Sequence, residues 1–374
     1  MKVTFKIIIF FLYSQISISQ IIPFQIGKHE QEKIFDRKPD YFKMDWEKET
    51  HLKSEQIQID SDSLDLQNID FLTDARDHPF LYSVKISTPV CADGECRLMD
   101  IRFYWDLLGN YAGFDKIENL PLTKYEHEEF SDADYLKLHQ LLQDKNSILG
   151  ERSIDELVEE PAESSLPEGV DALSGATIAE VKGSTIEGAL YSSHVAWRLA
   201  NGDIREKLKE HTVSMLNEEL LHDLLYSDNG DYQFFALKNF DDNMYRKEYN
   251  RVSEIFRSSI PLTRKYIIKN LPDFFWDEEE LQYKLWEYFP EVDLGTRSLL
   301  LDHLECATQS AIEIISERLE VLTQNQLKIY LEFLKQNKKM VDPEVVENLK
   351  KTAISNEYAY SYLVQKFLIA TNGY

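Results

Sequence analysis

Hydrophobic and polar positions alternate with period two from Tyr82 to Thr88 and again from Met99 to Trp105, with Asp93-Gly94 between the two runs. Alternation of this kind marks half-buried strands, and Asp-Gly fits a two-residue type I′ turn, so the pattern predicts a β-hairpin. The turn fixes the register: Cys91 faces Cys96, Thr88 faces Met99, Ile86 faces Ile101, Val84 faces Phe103 and Tyr82 faces Trp105. One face is then continuously apolar, while Lys85, Ser87, Asp100 and Arg102 fall on the other. A slip of one residue would scramble both faces. Pro89, opposite Leu98, lands on a non-hydrogen-bonded position, where its missing N–H costs the ladder nothing.

Gly109-Asn110 predicts a second turn, with Tyr111 to Phe114 returning as a further strand of an antiparallel sheet. The aromatics gathered there, Phe103, Tyr104, Trp105, Tyr111 and Phe114, are read as core packing. A short amphipathic helix follows, capped by Ser131 or Asp132 and carrying Leu136, Leu138, Leu141 and Leu142. His127 and His139 beside its start are read as surface or capping residues. Glu151 to Glu168 is acid-rich, interrupted by Pro161 and Pro167, and reads as a solvated loop. Ser184-Thr185-Ile186-Glu187 then matches a capping box, which predicts a helix from Ser184 to Asn201. Ile186, Ala189, Leu190, Ser193, Trp197 and Ala200 line its core side, and Gly202 closes it as C′ residue. Upstream, Gln20 to Asp77 shows no sustained period and is read as an irregular arm.

From Asp203 onward strand patterns stop and helical ones recur: Leu208–Leu225, Asp231–Leu237, Tyr249–Arg257, Leu262–Asn270, Glu278–Tyr288, Gly295–His303, Thr308–Leu319, Asn325–Lys335, Pro343–Ile354 and Tyr358–Ile369. Helix pairs of this size resemble HEAT-type α-solenoid repeats, with a compact helical bundle as the alternative. The expected fold is therefore α+β, a small antiparallel-sheet domain over 78–202 followed by an all-α helical-repeat domain over 203–374.

Charge and cysteine usage narrow the setting. The formal net charge of −25 argues against nucleic acid as a partner. Lys2 and Lys6, the apolar run Ile7 to Tyr13 and the small-x-small string Ser17-Ile18-Ser19 read as a signal peptide over 1–19, far short of the ~20 apolar residues that span a bilayer. The expected product is exported, periplasmic or extracellular, with attachment to the periphery of a membrane through its partners left open. Of the three cysteines, Cys91 and Cys96 fall at a facing pair whose Cα atoms lie roughly 4.5 Å apart, which permits a cross-strand disulfide, with a redox-active pair or a metal site as alternatives. Cys306, within a helical pattern, reads as a small buried hydrophobe.

The chemistry centres on Asp171-Ala172-Leu173-Ser174-Gly175-Ala176-Thr177. Ser174, Gly175 and Ala176 bring three small side chains in a row, so a phosphate can approach their backbone N–H groups, and Thr177 presents a hydroxyl at the end of that stretch. By spacing alone the string is more often a plain turn.

The pattern Asp171-x-x-Ser174-Gly175-Ala176-Thr177 resembles the flavinylation motif of the FMN-binding domain family, found in sodium-pumping NADH:quinone reductase, in Rnf complexes and in NosR-type regulators. The resemblance covers about a third of the chain, from His78 to Gly202. It implies FMN held covalently on Thr177 through a phosphodiester bond, a flavin transferase that installs it, and extracytoplasmic electron transfer to a redox partner. It also implies that Asp171 fixes the loop or is read by the transferase. The alternative is a secreted helical-repeat scaffold whose FMN-binding-like domain is non-functional. A hydrolase finds no nucleophile setting such as Gly-x-Ser-x-Gly. No metal site and no catalytic residue are assigned.

Overall fold

The computed structural model describes residues 53–61, 64–73, 77–90, 98–117, 119–124, 127–157 and 185–371. The leader 1–19, the Cys91–Cys96 turn and the motif 171–177 lie outside the described residues.

Five strands form one antiparallel sheet in sequential order: β1 (Lys53–Ser61), β2 (Leu64–Thr73), β3 (Pro79–Pro89), β4 (Leu98–Trp105) and β5 (Tyr111–Lys116). The β3–β4 register is the one the alternation dictates, with Tyr82 opposite Trp105, Val84 opposite Phe103, Ile86 opposite Ile101, Thr88 opposite Met99 and Pro89 opposite Leu98. Tyr82, Ile101, Phe103, Trp105 and Phe114 are fully or almost fully buried on one face. Removing any of these large side chains costs about 3–5 kcal/mol.

The first two strands correct the reading of 20–77 as irregular throughout, because Lys53 to Thr73 forms a hairpin of the sheet. The edge strand β1 is polar on both sides over Ser54, Glu55 and Gln56, with Ile57 and Ile59 its apolar residues. Cross-strand pairing with β2, not its own side chains, makes it a strand, so its period is weak.

Helices cover the apolar face. α1 (Asp132–Gln143) packs on β5, α3 (Leu190–Asn201) on β4 and α4 (Ile204–Ser214) on β1, while the four-residue α2 (Ile148–Glu151) packs on α3. Ser131 caps α1 in a capping box completed by Asp134. Leu138 and Leu142 are buried beneath it, whereas Leu136 is exposed.

Three expectations are corrected in this part. His139 is buried, 2% exposed, and not a surface group. Gly188 sits at φ +73°, a left-handed conformation that stops helical winding, so α3 begins at Leu190 and not at the Ser184 box. Ser193, one turn inside α3, instead accepts from the N–H of Ile186 at 3.3 Å. Gly202 caps α3 through an N–H bond to Arg198 but with φ −73°, so its left-handed freedom is not used.

The remaining helices are α5 (Glu218–Tyr226), α6 (Gly230–Lys238), α7 (Asp242–Lys247), α8 (Tyr249–Ser258), α9 (Pro261–Asn270), α10 (Phe274–Asp277), α11 (Glu279–Trp286), α12 (Leu294–Leu301), α13 (Gln309–Glu317), α14 (Gln324–Gln336), α15 (Pro343–Ala353) and α16 (Ser361–Ala370). The expected helix Leu208–Leu225 is two, because Asn217 caps a new start by accepting from the Leu220 N–H. Asp241 does the same for α7, which the pattern missed. Asn229, Asp293, Thr308, Thr323 and Asp342 cap α6, α12, α13, α14 and α15 in the same way, each cap supplying about 1 kcal/mol.

From α8 onward the helices pack in two rows. α8, α11, α13 and α15 follow one another in contact, as do α9, α12, α14 and α16, and the rows meet through α8 with α9 and α15 with α16. Buried side chains tie one helix to the next: Gln326 donates to the Leu294 carbonyl at 2.9 Å, Tyr330 to Ile312 at 2.8 Å and Tyr358 to Leu322 at 3.1 Å. Cys306 corrects the last cysteine expectation, since it ends a short 3-10 turn and is exposed.

Candidate functional site

The motif segment leaves the described fold at Leu157 and rejoins it at Thr185, and both residues are buried, as is Ile186. The chain on both sides of it is tied to α3, through α2 on the entering side and through Ile186 on the rejoining side. Gly150 of α2 lets the ring of Trp197 approach so closely that a Cβ there would lie 2.2 Å from it. Trp197 also donates its indole N–H to the Asp144 carbonyl at 2.8 Å. His194 Nε2 lies 3.2 Å from the Arg152 carbonyl. A carbonyl only accepts, so Nε2 carries the proton and donates. Burial holds the His194 pKa below its ordinary value, which keeps the ring neutral. His194 thus latches α3 to the chain entering the segment.

On the rejoining side, Ser193 donates to the Ala189 carbonyl at 2.8 Å and Ser192 to that of Thr123 at 3.4 Å. Gly188 turns beside Lys124, whose ammonium pairs with Asp134 at 2.9 Å. The packing on either side of the segment is a fixed frame. Asp171, Ser174, Gly175, Ala176 and Thr177, together with Cys91 and Cys96, lie outside the described residues, so their geometry is not part of it. Among the described residues, no group of three or more His, Cys, Asp or Glu side chains is placed to hold a metal ion.

A second cluster of titratable groups lies where the sheet meets the helices. At the β4–β5 turn Asp106 is 5% exposed, and its carboxylate accepts from Leu108 N at 2.8 Å, Asn110 N at 2.7 Å and Asn110 Nδ2 at 2.9 Å. Desolvation outweighs those bonds and raises its pKa to about 6. Asn110 Oδ1 in turn accepts from Lys145 at 2.7 Å and from Arg205 of α4 at 3.3 Å.

The neighbouring backbone is also held by side chains from the helices. Thr212 donates to the Leu107 carbonyl at 2.5 Å, and the Leu107 N–H donates to Tyr232 of α6 at 3.0 Å. Because the Thr212 proton is committed, Thr212 accepts from Tyr82 at 2.8 Å, and His211 Nδ1, 2.9 Å from the same Tyr82 oxygen, donates to it. Burial raises the phenol pKa of Tyr82 and of Tyr232 and lowers that of His211, so this chain of bonds is neutral and serves as a joint.

The aromatics of β4 and β5 behave as core. Phe103, Trp105 and Phe114 have no exposure, and Trp105 donates to the Ala200 carbonyl at 2.8 Å. Tyr111 bonds His139 Nδ1 at 2.8 Å, and burial pushes the His139 pKa down to about 4.

The sequence reading passes over Asp106 and takes His139 for a surface or capping group. The first had a readable signal, since Asp106-Leu-Leu-Gly109-Asn110 places Asp at the start of a tight turn, where its carboxylate bonds the backbone ahead of it. The second had none, because the partner Tyr111 lies 28 residues away. Comparison with protein families, curated proteins and solved structures finds no match for this chain.

Proposed function

We propose that the chain is an exported flavoprotein in which Thr177 carries FMN through a phosphodiester bond, for electron transfer outside the cytoplasm. The observation that carries this reading is the string Asp171-x-x-Ser174-Gly175-Ala176-Thr177, set in a segment whose flanking residues Leu157 and Thr185 are buried. In this reading Ser174, Gly175 and Ala176 leave the backbone N–H groups open to the phosphate, and Thr177 supplies the tethering oxygen. FMN itself supplies the redox chemistry. A flavin transferase matures the protein. Beyond Asp203, the two rows of helices support a HEAT-like repeat that docks the redox partner.

The test is the intact mass of the mature protein, expressed for export with a flavin transferase, beside its Thr177→Ala variant. A gain equal to FMN less one water, absent from the variant, is expected. An unmodified mass, in a host that flavinylates a known family member, overturns the covalent reading. The two-row packing favours the alternative in that event, a secreted scaffold that binds a protein through its helical region.

A further inference from the structure

The two rows of helices differ in what they show to solvent. The row α8, α11, α13 and α15 exposes the acids Glu254, Glu279, Glu280, Glu317, Glu344 and Glu347 against the bases Arg257, Lys350 and Lys351, together with the apolar Tyr283. The row α9, α12, α14 and α16 exposes apolar groups from every helix: Leu262 at 62%, Leu294 at 53%, Ile329 at 45%, and Tyr362 at 42% with Ile369 at 71%. Lysines stand among them, with Lys269, Lys328, Lys335 and Lys366 exposed and Lys265 half-exposed. Glu332 is the acid between them on α14, and Lys335 pairs with it at 3.4 Å.

Contacts across the row keep these side chains in line. Lys265 lies against Gly295, Gln326 bonds the Leu294 carbonyl and Ser298, and Gln324 donates to the Tyr362 hydroxyl at 2.9 Å. Lys366 rests over the Tyr362 ring at 5.5 Å. In a chain of net charge −25, a face of aligned apolar side chains ringed by lysines is charge-complementary to an acidic ligand and to little else on this protein.

We propose that the solvent face of the α9–α12–α14–α16 row binds an acidic, amphipathic segment of a partner protein. Leu262, Leu294, Ile329 and Tyr362 take its apolar side chains, and the lysines pair with its carboxylates. The form of the surface selects a segment over an anionic bilayer. Apolar side chains contributed by each of four successive helices suit a polypeptide lying across the row. Surface charges act over about 8–10 Å, so a narrow segment meets the lysines alone, whereas a broad anionic plane also meets the acids around them. The inference rests on the helical region being a docking platform and is independent of the flavin.

The experiment selects a displayed library of random peptides against the full chain and, in parallel, against its Thr177→Ala form, so that failure of flavinylation does not affect the outcome. Synthetic copies of enriched peptides are then measured by fluorescence anisotropy against Lys269→Glu, Lys328→Glu and Lys366→Glu combined, and against Ile329→Ser. These sites are exposed, and circular dichroism checks that the variants fold. The expected peptides interleave Asp and Glu with Leu, Ile or Phe and bind the triple variant at least about tenfold more weakly, while Glu279→Lys on the other row binds as the parent does. No enrichment, enriched peptides without acidic character, or equal binding to the triple variant overturns the proposal. Lysine-dependent sedimentation with vesicles of phosphatidylserine and phosphatidylcholine, without peptide binding, replaces the protein partner with a membrane surface.

Discussion

Replacing Asp106 by asparagine is expected to change how stability depends on pH, beyond changing its level. The Asp106 carboxyl is raised from 3.8 to about 6, and burial is the largest cause. Its folded pKa lies above its unfolded one, so its favourable contribution is complete below the unfolded value and is lost as pH rises through 6. A shift of this size is worth about 3 kcal/mol, most of it realised between pH 7 and pH 4. His139 runs the other way. Burial lowers it from 6.5 to about 4, so its contribution is present above 6.5 and is lost as pH falls toward 4, again by about 3 kcal/mol.

In the parent chain the two slopes oppose each other over the same interval. Asp106→Asn removes one slope and leaves the other. Asparagine keeps an acceptor for Leu108 N and Asn110 N, while the bond to Asn110 Nδ2 is lost at every pH, at a cost of about 1 kcal/mol that cancels when pH values are compared. The assay is urea unfolding followed by far-ultraviolet circular dichroism at pH 4, 5, 6 and 7. The variant minus parent difference in unfolding free energy is expected to move by about 2–3 kcal/mol, with the variant relatively weaker at pH 4. A difference that stays within about 0.5 kcal/mol from pH 4 to pH 7 would refute the buried, raised carboxyl.

Two glycines with the same backbone sign separate strain from collision. Gly109 has φ +72°, and a Cβ there would lie 2.1 Å from the Arg205 carbonyl oxygen, so Gly109→Ala is expected to cost more than about 3 kcal/mol in chemical denaturation. Gly188 has φ +73° and meets nothing nearer than Lys124 at 3.6 Å, so Gly188→Ala is expected to cost about 1–2 kcal/mol, and equal costs at both sites would sink the distinction. Thr212→Val leaves the buried Leu107 carbonyl and the Tyr82 hydroxyl without their Thr212 bonds, and a loss of about 2–3 kcal/mol is expected in the urea midpoint. Ser131→Ala breaks the capping box of α1 and is expected to lower stability by about 1 kcal/mol, read as a fall in melting temperature.

The parts of the fold that were legible are those fixed by local rules. Tyr82, Val84 and Ile86 alternate with Ser83, Lys85 and Ser87, and this forced both the strand and its register once a turn was placed. Ser131 or Asp132 ahead of an amphipathic run marked the start of α1, and Ser131 is its cap. Illegible elements depended on a neighbour. β1 is a strand because β2 pairs with it, and α3 starts late because Gly188 turns left-handed beside Lys124 and Ser193 satisfies the Ile186 N–H from inside the helix. The Ser184 box satisfied a local rule that this longer-range arrangement overrode.

The same division runs through the functional regions. A phosphate-accepting string such as Ser174 to Thr177 is contiguous, so its chemistry is visible in the sequence. The packing on either side of the segment is not contiguous. Gly150 and Trp197 are 47 positions apart, yet their close approach packs α2 against α3. The lysine-ringed face of the second row is dispersed further, because Leu262, Leu294, Ile329 and Tyr362 become neighbours only once α9, α12, α14 and α16 stack. Each of those residues, read within its own helix, is a single exposed hydrophobe of no note. Their meaning comes from the stacking, which gathers them with the lysines on one row while most of the exposed acids of these helices fall on the other. A net charge of −25 therefore describes the chain without describing the surface a partner would meet.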